Sequence, residues 1–322
     1  MNKKSNTLLS LCIKTAIAGV SIWFIYYKVF NKDHIADYIA TYHSILNNNH
    51  LIFLLIVVVL LMFINWGLEA LKWKMMVKKI EEISFIKAIE AVCSGITVSF
   101  FTPNRVGEFA GRVFYLDKAD RIKASLIAMI GSFAQTIVTI VFGGIALVVY
   151  CHEYSKLDFY LFAGIAAITF AMLALLILFY FNTSFLTILS DRIKWLKKYH
   201  SYTEVFSYFS KKELFNIFTL SVLRFLVFST QYYILFTISN VQISIVDGYL
   251  MIAMVFFTFT VIPTIALTEI GVRAASATYF IGLLSTNHFG ILLATFSLWF
   301  INLVIPSVFG AVFVFNFKLF RK

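Results

Sequence analysis

Six runs of about 20 apolar residues, near 8-30, 51-71, 124-150, 158-181, 214-238 and 290-317, dominate the chain. A helix rises about 1.5 Å per residue, so each run is long enough to cross a hydrocarbon core of roughly 30 Å. Composition agrees. Hydrophobic residues make up 61% of the 322 residues against 13% charged, with 36 Phe, which excludes the pair of soluble domains that the length alone would suggest. The first run follows Met1-Asn-Lys-Lys and is too long for a signal-peptide core, so it is expected to be a retained signal anchor.

Two further apolar regions, about 88-117 and 248-284, are each interrupted near the middle by Pro, Glu, Gly and Arg. Charge decides how they sit. If both dip into the membrane and return, the basic residues from Lys72 to Lys87, around Lys118, from Arg192 to Lys212 and at both termini share one face. Only Lys32 and Lys156, with Lys28 at a span end, fall on the other. That arrangement satisfies the positive-inside rule, whereas single crossings would carry a basic loop or the basic C-terminus outside. The net charge of +11 is thus read as topology and not as nucleic-acid affinity. The arm 88-101 would be only about 21 Å long as a helix, too short to span. Non-helical backbone at that depth is tolerated where protein or water surrounds it, so each break is a candidate site lining.

Pro103 and Pro263 stand 160 residues apart, almost half the chain. Each half, about 1-155 and 156-322, then reads as span, span, re-entrant hairpin, span. The hairpins enter from opposite faces, as in an inverted-topology repeat. The expected fold is therefore an all-α polytopic membrane protein, one membrane domain of six transmembrane helices plus two re-entrant helical hairpins. The plainer alternative is that the prolines only kink two helices.

The first break reads Ser99-Phe-Phe-Thr-Pro-Asn-Arg-Val-Gly-Glu-Phe-Ala-Gly-Arg112. Thr102 is expected to cap a helix that starts at Pro103, leaving free amides and the positive dipole end facing an anion. Arg105, Glu108 and Arg112 share one face, and Gly107 and Gly111 form a small-residue seam beside it. The second break, from Pro263, carries Glu269 and Arg273 at i, i+4, the favourable order for an ion pair, with Gly271 keeping the helix slim. Arg224 lies inside the span 214-238. Arginine at the membrane centre costs a few kcal/mol and needs a partner. Four Arg against Glu108 and Glu269 leave about two unmatched positive charges, or one if Glu69 reaches in. Self-neutralising staples and an anion site are both compatible with these pairs; the surplus favours an anion, and Arg suits phosphate through its bidentate fork.

Cys12, Cys93 and Cys151 lie too far apart for a disulfide framework or zinc spacing. No metal ligand set, nucleophile motif or cofactor motif is present, so neither metal nor cofactor is expected. His34, His43, His50, His152 and His288 fall in loops and none falls in a break. The stretch from Asp191 to Tyr199 alternates apolar and basic residues, as an interfacial helix or a solvated loop would.

Thr102-Pro103-Asn104-Arg105-Val106-Gly107-Glu108, with Arg112 and a basic loop after it, resembles the Pro-Gly-Arg-x-Gly-Glu motif of the lysylphosphatidylglycerol synthase transmembrane-region family, flippase-like integral membrane proteins. Ile270-Gly271-Val272-Arg273 is similar to that family's second motif, and the likeness in length and span order covers essentially the whole chain. Asn104 replaces the usual Gly, Ile265-Ala266-Leu267 replaces glycines, and Glu269 precedes the Arg where the family's Glu commonly follows it. The resemblance implies movement between leaflets of a lipid with a charged or phosphorylated headgroup, aminoacylated phosphatidylglycerol or an isoprenoid-phosphate carrier among relatives.

The expected function is a lipid flippase-like transporter, not an enzyme, since spans leave no room in 322 residues for an aminoacyl-transferase domain. Arg105, Glu108, Arg112, Arg224, Glu269 and Arg273 are the substrate-site candidates; Thr102, Pro103, Gly107, Gly111, Pro263 and Gly271 are the hairpin formers. The expected partners are anionic or isoprenoid-phosphate lipids, no nucleic acid, with a homo-oligomer left open. The expected location is the cytoplasmic membrane, with both termini inside. The alternatives are an ion-coupled transporter of a small soluble anion, or a non-catalytic membrane subunit for lipid-linked sugar modification.

Overall fold

The computed structural model describes residues 49–316, apart from 101, 103–105, 156, 194–196, 198, 199 and 263–265. The run 8-30, Cys12, Pro103, Arg105, Pro263 and both termini therefore lie outside the described residues. Among those described, the secondary structure is helical, and no strand occurs.

Five helices are long and apolar enough to cross a membrane: Asn49–Val77, Arg121–Glu153, Phe159–Phe181, Lys211–Ile238 and the composite His288–Phe313. They match five of the six expected spans. In chain order the elements are α1 (Asn49–Val77), α2 (Phe85–Phe100), α3 (Gly107–Val113), α4 (Arg121–Glu153), α5 (Phe159–Phe181) and α6 (Ser184–Arg192). They are followed by α7 (His200–Thr203), α8 (Lys211–Ile238), α9 (Ile245–Val261) and α10 (Ala266–Phe280). Last come α11 (His288–Trp299), a π-helical segment Phe300–Val304 and α12 (Ile305–Asn316).

Local chemistry fixes where these helices start. Asp120 caps α4 through the Ile122 and Lys123 amides, and Asp158 caps α5 through the Tyr160 amide. Ser210 and Glu213 form a reciprocal capping box at α8, while Ser244 caps α9 and Asn287 caps α11. The outer helix α5 buries only Thr169, Leu173 and Tyr180 and exposes Phe159, Ile168, Phe170 and Leu175. An apolar patch of that extent is a lipid-facing surface and not a water-facing one.

α2 and α3 pack tightly and run in opposite directions. Gly111 meets the Gly95 backbone, Gly107 meets the Val98 carbonyl, and Ser94 Oγ bonds the Tyr115 hydroxyl at 2.9 Å. The base of the pair is closed by Glu81, which accepts from the amides of Asp117, Lys118 and Ala119 at 3.0, 2.8 and 2.9 Å, while Lys87 Nζ reaches Asp117 at 2.7 Å. The expected glycine seam is thus present. At the opposite end of the bundle the start of α9 and the end of α10 come together near Tyr150, which bonds Tyr279, and near Asn287, which donates to the Ser239 and Asn240 carbonyls.

At the first break the described helix runs from Gly107 with Val106 at its N-cap position, and Thr102 Oγ1 accepts from the Gly107 amide at 2.8 Å, so that amide is not free for an anion. The expected helix start at Pro103 lies outside the described residues.

Two apolar cores flank the middle of the bundle. One gathers Trp73 and Met76 of α1, Ile127 to Ile137 of α4 and Leu214 and Ile217 of α8. The other gathers Val58 and Met62 of α1, Val138 and Ala146 of α4, and Phe225 and Tyr232 of α8. Polar residues at mid-helix occupy the gap between them.

Candidate functional site

The gap is organised around Glu69 of α1, whose carboxylate is almost wholly buried. One turn along the same helix, Lys72 places its Nζ 2.8 Å from Oε2. Arg112 of α3 brings a guanidinium nitrogen to 2.8 Å from Oε1, and Arg224 of α8 contacts Oε2. One carboxylate thus receives three cations from three helices, which is how a buried charge becomes tolerable.

Each cation has further support. Lys72 Nζ donates to the Gly131 carbonyl at 3.3 Å and to Ser221 Oγ at 3.4 Å. Arg112 also pairs with Glu108, one turn back on α3, and lies over the Trp73 ring. Arg224 Nε donates to Asn65 Oδ1 at 3.0 Å, and its guanidinium sits 5.2 Å from the Trp66 ring centroid. Asn65 donates in turn to Asn302 at 3.2 Å. Asn302 stands in the π-helical segment, a distortion that often marks functional positions.

On α10, Arg273 Nε donates to Glu269 at 2.8 Å, and its guanidinium stacks 3.9 Å from the Phe259 ring centroid. The i, i+4 pairs expected from sequence, Glu108 with Arg112 and Glu269 with Arg273, are both formed.

These groups border a cavity of about 360 Å³. Its wall includes Glu69, Lys72, Glu108, Gln135, Arg224 and Arg273 on the polar side, and Trp66, Phe228, Phe256 and Phe259 on the aromatic side. Of the sequence candidates, Glu108, Arg224 and Arg273 line it; Arg112 and Glu269 stand behind the wall and hold Glu108 and Arg273 in place. Arg105 lies outside the described residues. Exposure separates the members further: the side chains of Glu108 and Arg224 are 22% and 16% exposed, those of Lys72 and Arg112 only 1% each.

Lys72, expected on the basic loop face, is fully buried, because α1 continues to Val77 and turns Lys72 inward toward Glu69. Asn65, Glu69 and Lys72 recur at i, i+4, i+7, a polar stripe inside an apolar span, and that spacing is the signal that marks them. The charge count shifts accordingly. Lys72, Arg112, Arg224 and Arg273 against Glu69, Glu108 and Glu269 leave one excess positive charge among the described members of the cluster. Among the described residues no three His, Cys, Asp or Glu side chains gather as metal ligands would.

The family described as the lysylphosphatidylglycerol synthase TM region matches residues 11–310, and the chain belongs to that family. No curated protein matches the chain.

Proposed function

We propose that this member of the lysylphosphatidylglycerol synthase TM-region family moves an anionic, phosphate-bearing lipid headgroup between leaflets, with the mid-bundle cavity as the headgroup site. The observation that carries the reading is the cavity itself. Arg224 and Arg273, contributed by different helices, face one space, and the described members of the cluster around it hold one excess positive charge. An arginine pair beside an aromatic wall suits a phosphate that enters with an apolar chain attached.

Element spacing supports an inverted repeat in which α2–α3 and α9–α10 are re-entrant hairpins. The starts of α2 and α9 are 160 residues apart, the same separation as the two prolines of the breaks. The packing repeats as well, since α2 lies on α12 where α9 lies on α4. At these seams Gly310 faces Cys93 and Thr97, and Gly143 faces Phe257, which is 160 residues after Thr97. α2 and α9, with 16 and 17 residues, reach only about 24–26 Å and fall short of a full span.

The test is reconstitution in liposomes with fluorescent phosphatidylglycerol and, separately, fluorescent phosphatidylcholine. The anionic lipid is expected to change leaflet faster than in protein-free vesicles and faster than the zwitterionic one. Equal rates, together with competition by soluble phosphate, would replace this reading with transport of a small soluble anion.

A further inference from the structure

We propose that Glu69 is a resident counter-ion that the substrate displaces, so that Arg224 exchanges an internal carboxylate for an external phosphate oxygen. This rests on the anion-site reading above and names the pair on which binding turns.

Three cations converge on Glu69, but they are not equivalent. Arg112 stands behind the wall, and Lys72, although it borders the cavity, keeps its side chain only 1% exposed, whereas Arg224 shows part of its guanidinium to the cavity. A phosphate in the cavity reaches Arg224 and cannot reach Arg112. If Arg224 turns toward it, Glu69 keeps Lys72 and Arg112, each at 2.8 Å. Neither the carboxylate nor the guanidinium is stranded in either state, which is the condition for a cheap exchange in a low-dielectric interior. Asn65 acts as the pivot: its Oδ1 holds Arg224 Nε, which leaves the terminal nitrogens to change partner. Trp66 adds a second pointer to a ligand. It lines the cavity, and its buried indole N–H meets no hydrogen-bond acceptor among the described residues.

The exchange predicts effects of opposite sign from two substitutions in one ion cluster. With Glu69→Gln, Arg224 loses its internal competitor, and the dissociation constant for glycerol 1-phosphate falls about tenfold, the worth of one charge-assisted contact. With Lys72→Met, Glu69 holds Arg224 harder, and the same constant rises about tenfold. Net charge alone would give the same two signs, so the Trp66 signal is what separates displacement of Glu69 from a static cluster. The measurement is calorimetric titration of the purified full chain with glycerol 1-phosphate and with inorganic phosphate, and of nanodiscs with and without phosphatidylglycerol. Trp66 emission is followed in parallel, since the Arg224 guanidinium rests over that ring. The wild type is expected to show an emission change on binding that Trp66→Phe abolishes, a readout that survives if Glu69→Gln fails to fold. Shifts of the same sign in both variants, or binding without a Trp66 signal, overturn the exchange while the anion site stands. No binding of any phosphate probe to the wild type overturns both, and a response to inorganic phosphate but not to phosphatidylglycerol keeps the exchange and removes the lipid.

Discussion

Arg112 and Arg224 both touch Glu69, and replacing each by glutamine separates a packing charge from a substrate charge. Arg112 is sealed in the interior and bridges Glu69 to Glu108. Arg112→Gln leaves Glu108 without its partner and Glu69 with two cations instead of three. Breaking a buried pair costs about 3–5 kcal/mol, and because Glu108 keeps some exposure the lower figure, about 3 kcal/mol, applies. That corresponds to a fall of roughly 5–10 °C in melting temperature at the size scaling of larger domains. Adding Glu108→Gln removes the stranded carboxylate and should restore about two-thirds of the loss, a coupling that a double-mutant cycle reads directly. Arg224→Gln, by contrast, leaves Glu69 paired with Lys72 and Arg112, so stability should drop by only about 1 kcal/mol while lipid movement is lost. The assay is thermal unfolding in detergent beside leaflet exchange in liposomes. If Arg112→Gln melts like the wild type yet moves no lipid, Arg112 is a substrate ligand and the assignment of roles is wrong.

Gly111→Ala would drive a Cβ into the Gly95 backbone and separate α2 from α3, costing about 1–3 kcal/mol or more, whereas Gly164→Ala meets nothing within 4 Å and should be neutral or stabilising by up to about 1 kcal/mol; melting curves of the two variants test the contrast. Burial raises the pKa of Glu81, but the amides of Asp117, Lys118 and Ala119 and the charge of Lys87 outweigh it and hold the carboxyl below its usual 4.5. Its contribution is therefore complete above the usual carboxylate value and lost as pH falls through the lowered one; Glu81→Gln should cost about 2 kcal/mol at neutral pH and flatten the acid limb of the stability curve. Single-cysteine labelling in a chain lacking its native cysteines should place Lys87, Lys118 and Lys211 on one face and Asn287 on the other; Lys87 and Lys118 on opposite faces would end the re-entrant reading of α2–α3.

The helices and the pairs within single helices were legible in the sequence for a local reason. In hydrocarbon each backbone amide bonds its own helix, so about 20 apolar residues suffice to announce a span, as at α1, α4, α5, α8 and the composite His288–Phe313. Glu108 with Arg112 and Glu269 with Arg273 are four residues apart, and helical geometry alone brings them together. The glycines of α3 announced a close approach, although not that Gly95 would be the partner. Glu69 could not be read in this way, because Lys72, Arg112 and Arg224 reach it from α1, α3 and α8, with 155 residues between Glu69 and Arg224. Lys72 shows the limit most plainly. By position it belonged to a basic helix end, and only the packing of α4 and α8 against α1 turns it inward, onto Gly131, Ser221 and Glu69. A charge's partner is a property of the assembled bundle, since what decides it is which carboxylate the desolvated cation can still reach.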